Sequence, residues 1–267
     1  MKNFFVGIQS YSEAFKILFS RKFWWFLLFP IITLLLLFVG GNLLISYAGD
    51  TLSGLVESQV QEWVEGISCL EWMTSATNIV IKIILKIFYF FLFMAFGGYI
   101  ILIIMSPVYS WLSERTEAHL TGKEYPFSLG QFCKDILRGV LIALRNMFIQ
   151  TVLSLIFLFV SFIPVIGLIV PFAIFFTSAY FYGFSFVDYA VERKRMNLKQ
   201  SVKYIHKNKW LVTGIGTVFA FALLIPGISI VVCCFVSLLS VIASNVALNR
   251  IDVINRCKDS CIVENNM

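Results

Sequence analysis

Charge is what this chain has least of. Only 13% of its 267 residues are Asp, Glu, Lys or Arg, against 59% that are hydrophobic. An ordinary soluble domain is about a quarter charged, and its surface needs polar cover that this chain cannot supply. The composition therefore excludes a soluble fold and directs the surplus apolar surface to lipid. Catalytic signatures are also missing: no G-x-x-x-x-G-K-[ST], G-x-S-x-G or H-E-x-x-H string occurs. His119 and His206 are the only histidines, and neither is spaced with Cys, His or carboxylates as a metal site requires. The cysteines are Cys69, Cys133, Cys233, Cys234, Cys257 and Cys261, with no C-x-x-C pair among them. Cys233 and Cys234 lie in an apolar run and are expected to pack as small hydrophobes. Cys257 and Cys261, a helical turn apart in a polar tail, are at best a weak metal signal. No cofactor and no enzymatic activity are expected.

What is present is aromatic and apolar. Phe occurs 28 times and Trp 6 times, which suits helices in hydrocarbon with anchors near the headgroups. The apolar residues form four blocks. The first, 23–47, is long enough at about 1.5 Å per residue to cross about 30 Å of hydrocarbon. It lacks a small-residue cleavage site, so it reads as a membrane span rather than a signal peptide, with Pro30 expected to kink it. The second, 79–105, ends at Ser106-Pro107, a helix terminator. The third, 140–187, and fourth, 211–248, are each too long for one span.

The connections set the orientation. Segment 48–75 holds Asp50, Glu57, Glu62, Glu65 and Glu71 and no Lys or Arg, whereas 188–210 holds Arg193, Lys194, Arg195, Lys199, Lys203, Lys207 and Lys209. Basic loops stay in the cytoplasm. Lys16, Arg21 and Lys22 then place the N-terminus inside, as do Arg115, Lys123, Lys134 and Arg138 for 106–139 and Arg250, Arg256 and Lys258 for the tail. The net charge of +6 resides in these short stretches, so a membrane surface rather than nucleic acid is the expected partner. Run 193–209 reads as a helix resting on anionic headgroups.

Blocks three and four begin and end inside, so each must enter and return. Their turning points, Phe162-Ile163-Pro164-Val165-Ile166-Gly167 and Leu224-Ile225-Pro226-Gly227-Ile228-Ser229, lack the polar residues of a turn that reaches water. The arm Leu211–Ile225 is only about 22 Å of helix, short of a span. The expected fold is therefore all-α integral membrane: two full transmembrane helices, 23–47 and 79–105, plus two re-entrant helical hairpins, 140–187 and 211–248, with amphipathic cytoplasmic helices. Four ordinary spans with short apolar outer loops are the alternative, because the arms of block three are long enough to cross. Irregular backbone at membrane depth needs cover from protein or a water-filled cavity, so tips at Pro164, Gly167, Pro226 and Gly227 are expected to cluster centrally or at a subunit interface.

Three motifs in register carry a family resemblance: the turn Phe162–Gly167, the string Glu117-Ala118-His119-Leu120-Thr121-Gly122 shortly after Ser106-Pro107, and the second Ile-Pro turn, Ile225-Pro226. In order and spacing along most of 15–250 the chain resembles the CysZ-type sulfate permeases, which belong with the etoposide-induced-protein-like membrane proteins. The resemblance implies a bacterial inner-membrane protein with cytoplasmic termini and residues 1–250 as one membrane domain, followed by a polar cytoplasmic tail, 251–267. It also implies a homo-oligomer and uptake of sulfate or a related inorganic anion. The permeases carry Gly-x-Arg-Arg at the start of the first membrane helix. Aligned on Pro30, those arginines fall on Trp24 and Trp25, and the nearest basic pair is Arg21-Lys22, three residues earlier. Three residues are about 300° of helical rotation, so the pair points nearly the same way but almost a turn deeper in the cytoplasm. A helix N-terminus and adjacent basic side chains suit an anion, which makes Arg21 and Lys22 the anion-site candidates.

Arg145, Asn146 and Gln150, polar residues in the first arm of block three, are candidates for a pathway or vestibule. Glu114, Arg115 and Glu117 are read as salt-bridge residues on a cytoplasmic helix. Lys82 and Lys86 read as snorkelling at the outer interface. The alternative function is a non-transport, membrane-organising or lipid-interacting protein of the same fold, which the displaced basic pair favours.

Overall fold

A computed structural model of the chain describes residues 2–63, 70–122, 128–163, 166–194, 196–225 and 228–264, with side chains described throughout these except at 2, 52–53, 55–63, 70–78, 90–95 and 254–264. All regular structure among the described residues is helical. The α-helices are α1 (Lys2–Leu18), α2 (Leu28–Trp63), α3 (Leu70–Ile104), α4 (Ser106–Thr121), α5 (Leu129–Val160), α6 (Val170–Glu192), α7 (Leu198–Lys207), α8 (Lys209–Leu223) and α9 (Ser229–Glu264), with 3₁₀ turns at Trp24–Leu27 and Ile166–Leu168. Among the described residues four stretches are long and apolar enough to cross a membrane, Trp24–Thr51, Leu129–Val160, Ile166–Glu192 and Ser229–Val253, and the bent pair Phe96–Ile104 and Ser106–Thr121 makes a fifth if it is one span. The chain is a multi-pass helical membrane protein. Of the expected hairpin tips, Pro164, Pro226 and Gly227 lie outside the described residues.

Local sequence explains where these helices start and stop. Pro107 closes α3, but the chain does not leave the helical path: α4 begins at Ser106, bent by 65° from α3, with the proline in its first turn. There its missing N–H costs nothing. Pro30 behaves in the same way. The expected kink is absent because α2 starts only at Leu28, after the 3₁₀ turn, so Pro30 is its third residue and loses no helical hydrogen bond. Gly122 ends α4 in the left-handed region, φ 71°, and donates to Ala118 O at 2.9 Å, a conformation that favours glycine. Asn197 and Gln200 form a capping box at the start of α7.

Two compact units make up the chain. The larger comprises residues 1–31 and 98–267, and its centre is the crossing of α6 and α8. A Cβ on Gly183 would strike Val212 O, and one on Gly216 would strike Ala179 O, so two glycines let the backbones touch. Around the crossing lies an aromatic core: Tyr109 is 6.0 Å from Phe186 between ring centroids, and Phe186 is 5.0 Å from Phe219. Cys233 and Cys234 are fully buried, as expected. α1 packs on α8 and α9, where Tyr11 donates to Ile215 O at 2.7 Å.

The smaller unit, residues 32–97, contains most of α2 and the greater part of α3. Gly41 lies beside Tyr89, and Gly49 and Asp50 beside Lys82, so the two helices run antiparallel. Most of its described outward side chains are apolar, with Phe38 and Tyr47 about three-quarters exposed, as suits a lipid-facing pair. Lys82 is paired with Asp50 at 3.0 Å, both ends exposed. Lys86 is exposed.

Candidate functional site

The larger unit holds its charges in two different conditions. Asp135 and Arg138 lie three apart on α5, and Asp188 and Glu192 lie four apart on α6, so each pair occupies one helix face. Packing α5 on α6 brings the faces together. Arg138 donates through Nε and one terminal nitrogen to both Asp188 oxygens, each at 3.0 Å, and through the other to Met196 O at 2.8 Å. Ser201, on α7, donates to Asp188 Oδ1 at 2.5 Å. Arg193, just past α6, reaches Asp135 at 3.0 Å, Glu114 at 3.6 Å and the Ser110 hydroxyl at 2.9 Å. Glu192 stands 3.7 Å from Arg138 and 4.0 Å from Arg193. Asp135, Asp188 and Glu192 are buried. Bidentate, charge-assisted bonds of this kind are strong and directional.

This cluster borders a cavity of about 790 Å³, whose lining includes Glu114, Lys134, Asp135, Arg138, Glu192 and Arg193. A second cavity, about 230 Å³, shares Arg193 and adds Glu117, Lys194, Asn245 and Asp252. Lys194 donates to Asp252 at 2.6 Å and to the Tyr204 hydroxyl at 3.2 Å. Burial works to lower the Lys194 pKa, but Asp252 and Tyr204 outweigh it and hold the ammonium above the ordinary lysine value. Two arginines face four carboxylates in the cluster, so it has no surplus positive charge to offer an anion.

Deeper along α5 and α6 the polar contacts are neutral. Asn146 is buried and donates to Ser185 Oγ at 3.0 Å, and Gln150 donates to Ser178 Oγ at 3.0 Å while accepting from the Tyr99 hydroxyl at 2.5 Å. Both side chains are committed to packing within the protein. Arg145, their neighbour, is exposed; its guanidinium lies 5.5 Å from the Phe184 ring centre and 3.5 Å from Asn146 Oδ1. Among the described residues no carboxylate pairs with it.

Arg21 and Lys22 occupy the turn between α1 and the 3₁₀ segment, both exposed, and have no ion pair among the described residues. The turn is anchored by its neighbours: Phe23 is buried with its ring 5.9 Å from that of His119, and Trp25 is 4.7 Å from Trp111. The amides of Phe23 and Trp24 already donate to Ser20 O, at 3.0 and 3.1 Å, and that of Phe26 to Phe23 O at 2.9 Å. An anion at this helix start would meet side-chain cations more than free backbone N–H groups.

The sequence candidates thus fall into separate places. Arg145, Asn146 and Gln150 share the α5–α6 seam, Glu114 joins the cluster through Arg193, Arg115 is exposed, and Glu117 lines the smaller cavity. Gly167 lies in the 3₁₀ turn after the first hairpin arm, its N–H bonded to Ile163 O at 2.9 Å. Sequence reading missed Asp135, Asp188, Glu192 and the pairings of Arg138 and Arg193. The available signals were the same-face spacings 135/138 and 188/192 near the adjoining ends of two neighbouring arms.

A family model described as Sulfate transporter CysZ/Etoposide-induced protein 2.4 matches residues 10–233. The chain is similar to the protein named Sulfate transporter CysZ of Pseudomonas fluorescens strain Pf0-1, 25% identical over 231 residues, covering 84% of this chain and 86% of that one. The protein of the same name from Pseudomonas aeruginosa strain LESB58 is 25% identical over 228 residues, covering 84% and 88%. The one from Pseudomonas fluorescens strain Pf-5 is 26% identical over 230 residues, covering 84% and 87%.

Proposed function

The chain belongs to the Sulfate transporter CysZ/Etoposide-induced protein 2.4 family, and on that premise we propose that it takes up sulfate, or a closely related inorganic anion, across the bacterial inner membrane. Residues 1–250 act as one membrane domain, the tail from 251 is cytoplasmic, and both termini lie inside. The observation that carries this reading is the likeness to proteins named Sulfate transporter CysZ over 84% of the chain. Exposure and pairing support one assignment of the anion contact. Arg138 and Arg193 are neutralised by carboxylates, and Asn146 and Gln150 are committed to α6, whereas Arg21 and Lys22 are exposed cations at the start of the first membrane helix. We assign first contact with the anion to that pair, in preference to a vestibule built from Arg145, Asn146 and Gln150.

The hairpins are taken as re-entrant. α8, at 15 residues, gives about 22 Å of helix, short of the hydrocarbon. Tips at that depth need protein around them, which supports a homo-oligomer with the tips covered between copies. Val165→Cys and Gly227→Cys, in a Cys69→Ser background, are expected to resist an outside-only thiol reagent; rapid labelling restores four full spans.

A second reading is a protein of the same fold that organises lipid instead of moving ions, favoured by Trp24 and Trp25 standing where the family arginines are expected. Radiolabelled sulfate flux into liposomes containing the purified chain, with selenate and chloride as competitors, decides between them. Uptake above that of empty liposomes, reduced by selenate, supports transport; uptake equal to empty liposomes removes it.

A further inference from the structure

Arg145 stands at the exposed edge of the α5–α6 seam, its guanidinium against the Phe184 ring of α6. Leu141, Leu144 and Phe148, which surround it on the helix, are all exposed, Phe148 by 70%. An arginine on a lipid-facing stripe without a carboxylate is costly inside hydrocarbon, so its depth matters. Fifteen residues separate Arg145 from Val160, where α5 ends, about 22 Å of helix, less than the roughly 30 Å of a hydrocarbon core. With the hairpin re-entrant, as proposed above, Arg145 lies at the headgroup level on the cytoplasmic side.

Other donors converge there. Tyr180, on α6, has its hydroxyl 3.3 Å from His206 Nδ1 on α7, and its ring is 6.1 Å from that of Phe184, which carries the Arg145 guanidinium. α7 is fixed by buried Ser201 and Ile205, leaving Lys199, Lys203 and Lys207 exposed at four-residue intervals on its other side. Lys209 follows, 6.0 Å from the centre of the exposed Trp210 ring. Residues 196–210 contain no Asp or Glu. A guanidinium, a phenol, an imidazole and a row of ammonium groups therefore border an apolar helix stripe, with an interfacial tryptophan beside them.

We propose that Arg145, with Tyr180, His206 and the lysine face of α7, holds the phosphate headgroup of an anionic phospholipid whose acyl chains lie along Phe148 and Val152, both exposed on the deeper turns of the same helix face. The charge selects an anion, and the apolar stripe one turn from the cation selects one that carries a hydrocarbon tail rather than a free ion. The site is independent of transport, so lipid retention and sulfate flux fail or succeed separately.

Native mass spectrometry of the purified chain, given phosphatidylglycerol and phosphatidylcholine of identical acyl chains, reads the preference directly. The wild-type chain is expected to retain phosphatidylglycerol over phosphatidylcholine, and Arg145→Gln to lower that ratio about fivefold, the effect of one cation at an anionic surface. Lys203→Gln with Lys207→Gln, both exposed and outside the packed core, is expected to lower it at least as much. Millimolar free sulfate is expected to leave the lipid bound. An unchanged ratio in both variants overturns the proposal, and so does displacement of the lipid by sulfate, which makes Arg145 a contact for the free anion.

Discussion

Arg138 and Arg193 carry the same charge as Arg21 and Lys22, within the same compact unit, yet they are held in opposite ways. The first two are packed against Asp135, Asp188, Glu192 and Glu114, with the Arg138 fork held by hydrogen bonds to Asp188 and Met196 O and one terminal nitrogen of Arg193 by Asp135 and Ser110. The second two project from a turn whose backbone and rings are anchored while their own side chains have no ion-pair partner among the described residues. A buried, compensated arginine contributes a fixed joint between helices and little external field. An exposed, uncompensated one contributes little to the fold but is available to a ligand. Positive charge in this protein is thus divided between holding and binding, and carboxylate proximity rather than residue type makes the division.

Substitutions test that division, and their expected effects on stability fall in a definite order. Asp188→Ala leaves Arg138 buried without its bidentate partner; removing one member of a buried pair costs about 3–5 kcal/mol, read as a large drop in the thermal midpoint of the detergent-purified chain. If Asp188→Ala unfolds at the wild-type temperature, the cluster is not a joint. Asn146→Ala removes a buried donor and leaves Ser185 with one contact fewer, an expected loss of about 1–3 kcal/mol by the same measurement. Lys82→Ala breaks an exposed pair with Asp50, worth about 0–1 kcal/mol; a midpoint shift as large as that of Asp188→Ala would erase the contrast between buried and exposed pairs. Arg21→Ala with Lys22→Ala is expected to move the midpoint least, within about 0.5 kcal/mol.

Much of the fold was legible because lipid imposes simple rules on sequence. Long apolar blocks became helices, Ser106-Pro107 marked the end of α3, and Cys233 and Cys234 packed inside as their apolar context implied. Two features were not legible locally. Pro30 lost its kinking role because the 3₁₀ turn at Trp24–Leu27 delays the start of α2. The contact of Gly183 with Val212, and of Gly216 with Ala179, joins helices that the chain separates by a whole loop and α7.

The candidate site was less legible for the same reason. Arg138 and Arg193 entered the sequence reading only as basic charge in a connection, and the sum of charges in a segment does not reveal partners. Arg138 and Asp188 are 50 positions apart and meet only through the α5–α6 hairpin. Asn146 and Gln150 looked like vestibule residues for as long as Ser185, Ser178 and Tyr99 could not be placed opposite them. Arg21 and Lys22 are exposed in the turn between α1 and the 3₁₀ segment.

The central claim, that the binding cations are those without carboxylates, is tested most directly by sulfate uptake into liposomes containing the Arg21→Ala, Lys22→Ala double variant. The account predicts half-saturation at a sulfate concentration raised about tenfold or more, as loss of a charge-assisted contact implies, in a protein that melts at the wild-type temperature. Uptake by the double variant with the wild-type concentration dependence would contradict it.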